Sequence, residues 1–464
     1  MTNADPEVVV EPSPIRRNLS VVALLLTMLM TNIDSSIVNV ALPQLSHDLH
    51  TTPSDVVWVV TAFLLAVSCA LPAMSGLADR IGRKRMFVIG TPLFTLASLS
   101  CAFSPNLEWL VASRVLQGVS AAMIFAVAIP LYRRLFPPAR LGTILGLNAM
   151  TVALGIASGP ALGGLILANL SWQWLFLINL PIGVVALTLG VVVIPHRVPP
   201  RSRFDALGAL AAAAAIACFL VGVHQLSATS TLWVAALLLA ACAGLVVLLV
   251  RVERRAERPV IPLTLFNGKF SLAVLTAFWS FFGQGVAFVA LPFLFQTAYH
   301  ATPLESALLF TPWPLVIVFV APIAGRLADR YPSERLAVIG LSIFTAGLLS
   351  LALLGGHPPI WQVLVSTAVT GLGFGVFQSP NNRDMMSAAP MHYASSAAGI
   401  LNLNRSLAQS AGAAAVSIAL VVGGASAASL SSQANAANGA LVVAVIGAAI
   451  SVVVSVMKLR GART

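Results

Sequence analysis

The chain has 464 residues, of which 58% are hydrophobic and 9% are charged, and its mean hydropathy is +0.93. This composition excludes a water-soluble globular protein and predicts a polytopic membrane protein. The net charge of +11 does not indicate a nucleic-acid partner, because the basic residues lie in short segments between apolar runs, where they set membrane topology.

Fourteen apolar runs are long enough to form membrane-spanning helices. In chain order they lie near 19–42, 54–76, 86–104, 108–131, 141–167, 174–194, 206–226, 231–250, 270–297, 304–325, 336–354, 361–382, 394–421 and 438–456. If the N-terminus is cytoplasmic, 24 of the 26 Lys and Arg residues fall in cytoplasmic segments, and the other two, Arg114 and Arg405, lie inside spans. This distribution predicts fourteen spans in the cell inner membrane, with both termini cytoplasmic.

The first span, Asn18 to Pro43, carries Asp34 at a depth where hydrocarbon is expected. An ionised carboxylate there costs ~2.5–3.5 kcal/mol or more, so the side chain should face the interior of the bundle and have a partner. Thr27, Thr31 and Asp34 share one face of the helix, which makes that face polar. Two interpretations remain open: a structural Asp held by neighbouring helices, or a site that binds a proton or another cation.

The chain also contains an internal repeat. Val40 to Pro43 returns as Val289 to Pro292, and Gly76 to Arg80 returns as Gly325 to Arg330, at an offset of 249 or 250 residues. A repeat of this length indicates two homologous six-helix halves, with the seventh and eighth spans inserted between them. The predicted divisions are a cytoplasmic tail 1–17, a first bundle 18–195, basic linkers with two inserted helices 196–265, a second bundle 266–457 and a cytoplasmic tail 458–464.

Five segments form an ordered set of motifs. They are Asn39-Val-Ala-Leu-Pro43, Gly76-Leu-Ala-Asp79-Arg80-Ile-Gly82-Arg83-Lys84-Arg85, Leu110-x3-Arg114-x2-Gln117-Gly118, Gly155-x3-Gly159-Pro160-x2-Gly163-Gly164 and Trp172-Gln-Trp174-Leu-Phe-Leu-Ile-Asn179-x-Pro181. Together they resemble the fourteen-span drug/proton antiporter branch of the major facilitator superfamily. The resemblance spans essentially the whole chain and implies an all-α membrane protein: two six-helix bundles plus two inserted transmembrane helices.

The loop motif and its second-half copy supply candidate gating residues, which are Gly76, Asp79, Arg80, Gly82, Arg83 and Asp329. Asp79 can pair with Arg83 or accept hydrogen bonds from the N-terminus of a neighbouring helix, and such contacts can form in one conformation and break in another. Alternatively, the basic residues only enforce topology. The second-half copy continues with Tyr-Pro-Ser and lacks the Gly-Arg-Lys portion, so we do not expect both loops to gate symmetrically.

The fifth span contains a ridge of small residues. Gly155, Gly159 and Gly163 stand four residues apart, and Pro160 removes a backbone donor and bends the helix. This ridge either provides ordinary close packing or also seals the transport path while the two bundles reorient.

Asp34 and Arg114 are predicted to lie at nearly the same depth. Asp34 is ~22 Å along a helix that rises through a ~30 Å core from the cytoplasmic side, and Arg114 is ~9 Å along a helix that descends from the other side. We therefore expect the two side chains to approach each other, directly or through Gln117 or water. We interpret Asp34, Arg114 and Gln117 as a proton-coupling group.

The second half is rich in aromatic residues and offers no well-buried acid. Substrate-pocket candidates are Asn32, Gln284, Phe288, Gln296, Trp313, Phe377, Gln378, Asn402 and Arg405. Aromatic side chains on spans also serve in packing or face lipid, so only a subset is expected at a cavity that suits hydrophobic substrates. Arg405 lies ~16 Å deep. It is either a structural group bonded to Asn402, Asn404 or backbone carbonyls, or it attracts a polar or anionic part of a substrate.

These patterns favour a proton-coupled transporter that exports lipophilic compounds. The alternative is a facilitative or proton-symport uptake carrier for a small organic metabolite on the same scaffold. An enzyme is not expected, because the His residues are scattered along predicted outer segments. No GxxxxGK[ST] nucleotide-binding motif is present, so ATP is not expected to drive transport. The four cysteines have no paired spacing, so neither a metal nor a disulfide is indicated. The expected partners are substrate, protons and lipid, and we expect a monomer without cofactors.

Overall fold

The structure is a computed structural model that describes residues 13–195, 205–227, 232–255, 262–266, 268–328, 330–355, 358–389, 394–423 and 430–461. Within these ranges the chain is helical and contains no strand. Its membrane-spanning helices, numbered α1 to α14, are Pro14–Asp48, Pro53–Ile81, Arg83–Ala102, Leu107–Leu135, Pro138–Asn169, Trp174–Val193, Ala206–His224, Leu232–Glu253, Gly268–Thr297, Pro303–Leu327, Ser333–Leu353, Ile360–Ala388, Ala394–Val422 and Leu430–Gly461. The fourteen predicted spans are therefore confirmed.

The helices differ from the predicted runs mainly at their ends. α1 begins at Pro14 and continues to Asp48, because polar residues outside the apolar core extend the helix. α14 continues to Gly461, so Lys458, which we expected in the C-terminal tail, lies in that helix. α2, α6 and α10 each contain a short break near their start. The predicted gating residue Asp329, residues 1–12 of the predicted tail and most of the linker 196–204 lie outside the described residues.

Each half of the repeat forms a six-helix bundle, α1 to α6 and α9 to α14. Because the number of spans is even, Pro14 of α1 and Gly461 of α14 lie at the same end of the bundles. We call this end the terminal face and the other end, where α1 finishes at Asp48, the opposite face. The proline of the repeated Val-Ala-Leu-Pro segment lies inside a helix in both copies, Pro43 in α1 and Pro292 in α9.

Matching contacts in the two halves establish which residues are equivalent. The Ser100 and Ser113 hydroxyls are 2.7 Å apart, and Ser350 and Ser366 repeat this bond at 2.7 Å.

A second matching contact involves a glycine in each half. A Cβ added at Gly118 would lie 2.5 Å from the carbonyl oxygen of Phe63. One added at Gly371 would likewise meet the backbone of Trp313, at 2.9 Å from its Cα. Phe63 and Trp313 are therefore counterparts, and α4 and α12 are aligned at an offset of 253 residues.

The two bundles meet through contacts that the repeat relates: α1 packs on its counterpart α9, and the packing of α2 on α13 matches that of α10 on α5. The Gln296 amide donates to the carbonyl oxygen of Val40 at 2.9 Å. The Ser417 hydroxyl donates to the carbonyl oxygen of Ser54 at 3.1 Å. Gly164 of α5 lies against α10, since a Cβ there would be 3.1 Å from the Cα of Leu304. All these contacts lie toward the opposite face, so the bundles are closed against each other at that face.

The two inserted helices occupy different positions. α7 packs against α2 and α13, one helix from each bundle. The Trp58 indole N–H donates to Nε2 of His224 at 2.8 Å, which fixes the end of α7 to the start of α2. α8 packs on α7, and Trp233 and Leu237 are largely exposed on its surface. α7 therefore belongs to the body of the protein, whereas α8 is peripheral.

Candidate charge-pair site and central cavity

Asp34 lies inside the first bundle and is completely buried. Its Oδ2 accepts from Arg114 Nη1 at 2.6 Å, which is a direct ion pair between α1 and α4. Its Oδ1 accepts from Gln117 Nε2 at 2.8 Å and from Asn179 Nδ2 at 2.7 Å. The expected approach of Asp34, Arg114 and Gln117 is thus a set of direct contacts. Three donors from α4 and α6 thus surround one carboxyl group.

Arg114 is also completely buried and is held by contacts from three sides. Its Nε donates to the carbonyl oxygen of Val59 at 2.9 Å, and its Nη1 donates to Gln117 Oε1 at 2.6 Å. The guanidinium carbon lies 4.3 Å from the centre of the Phe63 ring, a cation–π contact. Among the described residues, its Nη2 has no hydrogen-bond partner. An incompletely satisfied buried cation is a feature of functional sites more than of structural ones.

Ser98 and Asn179 complete the network, and sequence reasoning did not assign them a role. The Ser98 hydroxyl accepts from Gln117 Nε2 at 2.8 Å and from Asn179 Nδ2 at 3.2 Å. Asn179 was visible in the Trp172 to Pro181 motif, but nothing in its spacing placed it beside Asp34. Thr27 and Thr31 share a helical face with Asp34 but donate to carbonyl oxygens of α1 itself, so they lie outside the network.

A central cavity lies between the two bundles, next to the charge pair. Its wall combines amide, hydroxyl and aromatic side chains with one guanidinium, and consists of Asn32, Ser35, Ser36, Asn39, Val60, Phe63, Leu64, Val67, Phe125, Ile156, Gly285, Phe288, Val289, Arg405, Ser406, Gln409 and Ala413. Phe63 belongs both to this wall and to the site, because it also stacks on Arg114. Phe63 therefore links the cavity wall to the buried pair.

Three predicted pocket residues, Asn32, Phe288 and Arg405, lie in the wall of this cavity. Gln284 lies behind it and accepts from Gln409 at 3.0 Å. The structure does not bring the other candidates, Gln296, Trp313, Phe377, Gln378 and Asn402, to this wall. Gln296 instead connects the bundles at the opposite face, because its amide donates to the backbone carbonyl of Val40 there.

Most aromatic candidates pack inside the second bundle. Trp313 is fully buried, and its ring centre lies 5.3 Å from that of Phe288 and 5.9 Å from that of Phe344. Phe374 continues the cluster at 5.4 Å from Phe344, and Phe377 lies 6.0 Å from Phe374. Since edge-to-face packing with neighbouring rings occupies these side chains, Trp313 and Phe377 form a core and not a pocket wall.

The loop motif contains the predicted ion pair. Arg83 Nη2 donates to Asp79 Oδ1 at 2.9 Å, and Arg83 Nη1 donates to the carbonyl oxygen of Pro130 in α4 at 3.2 Å. Gly82 has a φ of 98°, a backbone conformation that favours glycine, and it allows the tight turn from α2 to α3. Arg80 is exposed and Gly76 is half-buried. The contact thus ties the loop to α4, the helix that carries Arg114.

The glycine ridge of α5 packs on the helix that carries Asp34. A Cβ at Gly155 would lie 2.8 Å from the Cβ of Asn32. At Gly159 it would lie 2.9 Å from the backbone nitrogen of Ile37, and at Gly163 it would lie 3.0 Å from the carbonyl oxygen of the same residue. Pro160 lies within the same stretch of α5. This seam is therefore inside the first bundle, and it fixes the position of α1 beside the cavity.

Repeated bundles, a cavity between them and a buried charge pair define a membrane transporter. The family model described as Major Facilitator Superfamily matches residues 24–413. The chain belongs to this superfamily.

Its curated relatives differ in what their names state. The chain is 36% identical over 419 residues to the uncharacterized transporter YebQ of Escherichia coli (strain K12), covering 89% of this chain and 92% of that one. It is 32% identical over 365 residues to the riboflavin transporter RibZ of Clostridioides difficile (strain 630), covering 78% and 79%. It is 30% identical over 402 residues to a multidrug resistance protein B homolog of Mycobacterium tuberculosis (strain ATCC 25618 / H37Rv), covering 85% and 74%.

A solved structure has the same fold. It is that of a bacterial homolog of the human lysosomal transporter Spinster, in an inward-facing and unoccupied conformation. The TM-score is 0.69 at 14% sequence identity, and the match covers 97% of this chain and 98% of that chain. The expected fold is confirmed.

Proposed function

We propose that the protein exports lipophilic organic compounds across the cytoplasmic membrane in exchange for protons, and that Asp34 carries the proton. The observation that supports this most is the position of Asp34. It is a fully buried carboxyl group, paired with Arg114, and Phe63, which stacks on Arg114, also lines the cavity. A titratable group within a membrane span is typical of a proton pathway.

The contacts suggest how protonation would change the structure. When Asp34 is ionised, it neutralises Arg114 and accepts from Gln117 and Asn179. When it is protonated, the attraction to Arg114 is lost and a buried cation remains unpaired, which costs free energy. That cost favours a different arrangement of α1 and α4, and a ligand or proton shifts a conformational equilibrium only through such a difference.

Phe63 supplies the route by which substrate would affect the proton site. A compound in the cavity would contact Phe63, whose ring also stacks on Arg114. Substrate that displaces Phe63 would thereby weaken the hold on Arg114. Arg114 would then depend more on ionised Asp34, so substrate binding would oppose protonation of Asp34, which is the requirement for exchange.

The remaining roles follow from the topology. With both termini in the cytoplasm, the terminal face is cytoplasmic, and closure at the opposite face corresponds to an inward-facing state. In this proposal the Asp79–Arg83 pair is a state-dependent latch, and the α1–α5 seam keeps the path sealed. The proton gradient drives transport, a monomer is sufficient, and no cofactor takes part.

The test is Asp34→Asn in proteoliposomes with an imposed pH gradient. We expect accumulation of lipophilic dyes against a gradient to be abolished, while energy-independent exchange remains measurable, because the amide keeps the shape of the site without titrating. Asp48→Asn is the matched control, since Asp48 is an acid at the exposed end of the same helix. If Asp34→Asn still pumps with unchanged pH dependence, another residue carries the proton.

A second candidate function is favoured by the relative that is named a riboflavin transporter. In this case the same scaffold would take up a small organic metabolite, by facilitation or with protons. Counterflow in inside-out vesicles, measured with and without a pH gradient, distinguishes the two functions. Export requires that an acidic vesicle lumen drive accumulation inside, whereas a proton symporter loses accumulation under that gradient.

A further inference from the structure

We propose that the substrate carries an anionic group and that Arg405 binds it. This inference rests on the proposed function, because it takes the central cavity as the substrate site, and it names the class of compound: organic anions with an aromatic or apolar body. It rests on two observations: Arg405 has no partner among the described residues, and the cavity wall around it has a particular composition.

Arg405 is a cation without a partner. Among the residues that the structure describes, it makes neither a hydrogen bond nor an ion pair, although it lies within α13 and in the wall of the cavity. Its expected structural partners are engaged elsewhere or lie apart from it. Asn404 donates to the carbonyl oxygen of Val274 at 3.0 Å, and Gln409 donates to Gln284. The structural interpretation of Arg405 therefore lacks the contacts that it requires.

An unpaired guanidinium at this depth is costly, and an anion would remove the cost. Charged groups within membrane spans face cavities and pair with other groups. A carboxylate or phosphate can accept two parallel hydrogen bonds from a guanidinium, in a geometry that an ammonium cannot reproduce. Since the described protein supplies no such acceptor to Arg405, the group that completes the site is expected to come from the ligand.

The rest of the wall selects for the same class. Among its described residues Arg405 is the only charged one, so the wall has a net positive charge. Asp34 does not compensate this charge, because it is paired with Arg114 behind Phe63. Phe288 and Phe125 offer apolar surface to the body of the ligand. A lipophilic cation would find no counter-charge here and would be repelled.

The test uses three probes that share one ring system and differ in charge: 9-anthracenecarboxylate, its neutral carboxamide and the cationic 9-aminomethylanthracene. Binding to the purified full-length protein is measured at equilibrium without a pH gradient. We expect the wild type to bind the carboxylate about tenfold more tightly than the carboxamide, and the cation most weakly. The carboxylate should also raise the Tm of the wild type more than the carboxamide does.

The variants are Arg405→Gln, Arg405→Lys and a control, Arg335→Gln, which removes an exposed cation of the terminal face. We expect Arg405→Gln to reduce the preference to less than about twofold, Arg405→Lys to keep part of it, and Arg335→Gln to keep all of it. Arg405→Gln should fold, because it removes an unpaired cation. Its Tm without ligand should therefore equal or exceed that of the wild type.

The inference is wrong if the wild type shows no preference for the carboxylate, including the case in which no probe binds, or if Arg405→Gln retains the full preference. Proton coupling is measured separately, through the dependence of pumping on Asp34. If the wild type shows no preference for the carboxylate while its pumping still depends on Asp34, only this inference is contradicted. Pumping that does not depend on Asp34 contradicts only the proposed function.

Discussion

The cores of the two bundles are built differently at equivalent positions. In the first bundle, Asp34 and Arg114 form a buried ion pair, and Phe63 covers it. In the second bundle, the positions equivalent by the repeat are held by uncharged residues. Gly283 corresponds to Asp34, Thr367 to Arg114 and Trp313 to Phe63. Thr367 donates only to carbonyl oxygens of its own helix, and Trp313 is surrounded by other rings.

The difference indicates that the first bundle carries the buried Asp34–Arg114 pair, whereas the matched positions of the second bundle belong to an uncharged core. A buried ion pair is weak evidence for stability, because hydrophobic residues of similar volume would often stabilise a core more. At the three matched positions the second bundle is filled without charge, by Gly283, Thr367 and Trp313. Substitutions at the matched positions should therefore have different consequences in the two halves.

The largest effect should come from Arg114→Ala, compared with Thr367→Ala. Removing Arg114 leaves Asp34 buried without its counter-charge, so we expect a loss of stability of ~3–5 kcal/mol and no proton-driven transport. Thr367→Ala removes a hydroxyl that bonds only to its own helix and should cost ~1 kcal/mol with normal coupling. Chemical unfolding in detergent and transport in proteoliposomes measure both. Equal effects in the two variants would show that the halves are not specialised.

The second comparison is Phe63→Leu against Trp313→Leu. Phe63→Leu removes the ring between the cavity and Arg114, so we expect proton leak without substrate at a stability cost of about 1–2 kcal/mol. Trp313→Leu should cost more stability, ~2–4 kcal/mol, but leave the ratio of protons to substrate unchanged. An entrapped pH indicator in proteoliposomes measures the leak. If the Phe63→Leu variant shows no proton leak, the ring does not separate the cavity from the charge pair.

The third prediction concerns the α1–α5 seam. Gly159→Leu should push α5 away from α1 at a packing cost of roughly 1–3 kcal/mol and cause lost transport or a proton leak. Gly146→Leu is the matched control in the same helix, because nothing lies within 4 Å of a Cβ at that position. Full activity and tight coupling in Gly159→Leu would place the seal elsewhere.

The smallest effect on stability should come from Asp79→Asn. The Asp79–Arg83 pair is partly exposed, and such pairs contribute ~0–1 kcal/mol. We nevertheless expect slower transport with unchanged ligand binding, because the pair is proposed to form in one state and break in the other. Turnover and equilibrium binding are measured on the same preparation, with Asp48→Asn as control. Normal turnover would leave the loop with a role in topology alone.

Much of this architecture could be predicted from the sequence. Apolar runs and the positions of Lys and Arg are sufficient for fourteen spans, because the bilayer imposes length and charge rules on each helix separately. Counting residues from the helix ends also predicted that Asp34 and Arg114 lie at one level, since the helical rise is constant.

What could not be predicted depends on how each helix is rotated. Ser98 and Asn179 give no signal of their own, because a short polar side chain in a span can bond its own helix or a neighbour with equal ease. Trp313 and Phe377 were expected at a cavity, yet they pack among rings, since residue type does not reveal which side of a helix faces the cavity. Phe63 was missed for the same reason.

The single positive charge in the cavity wall has an electrical consequence. If an organic anion leaves the cell as one proton enters, two elementary charges move inward in each cycle. A membrane potential of 100 mV, negative inside, would then contribute ~4.6 kcal/mol per cycle, compared with ~2.3 kcal/mol for a neutral substrate and none for a monovalent cation. Arg405 would thus decide how much of the transport work the voltage performs, and a cell could continue to expel such anions after its pH gradient had collapsed.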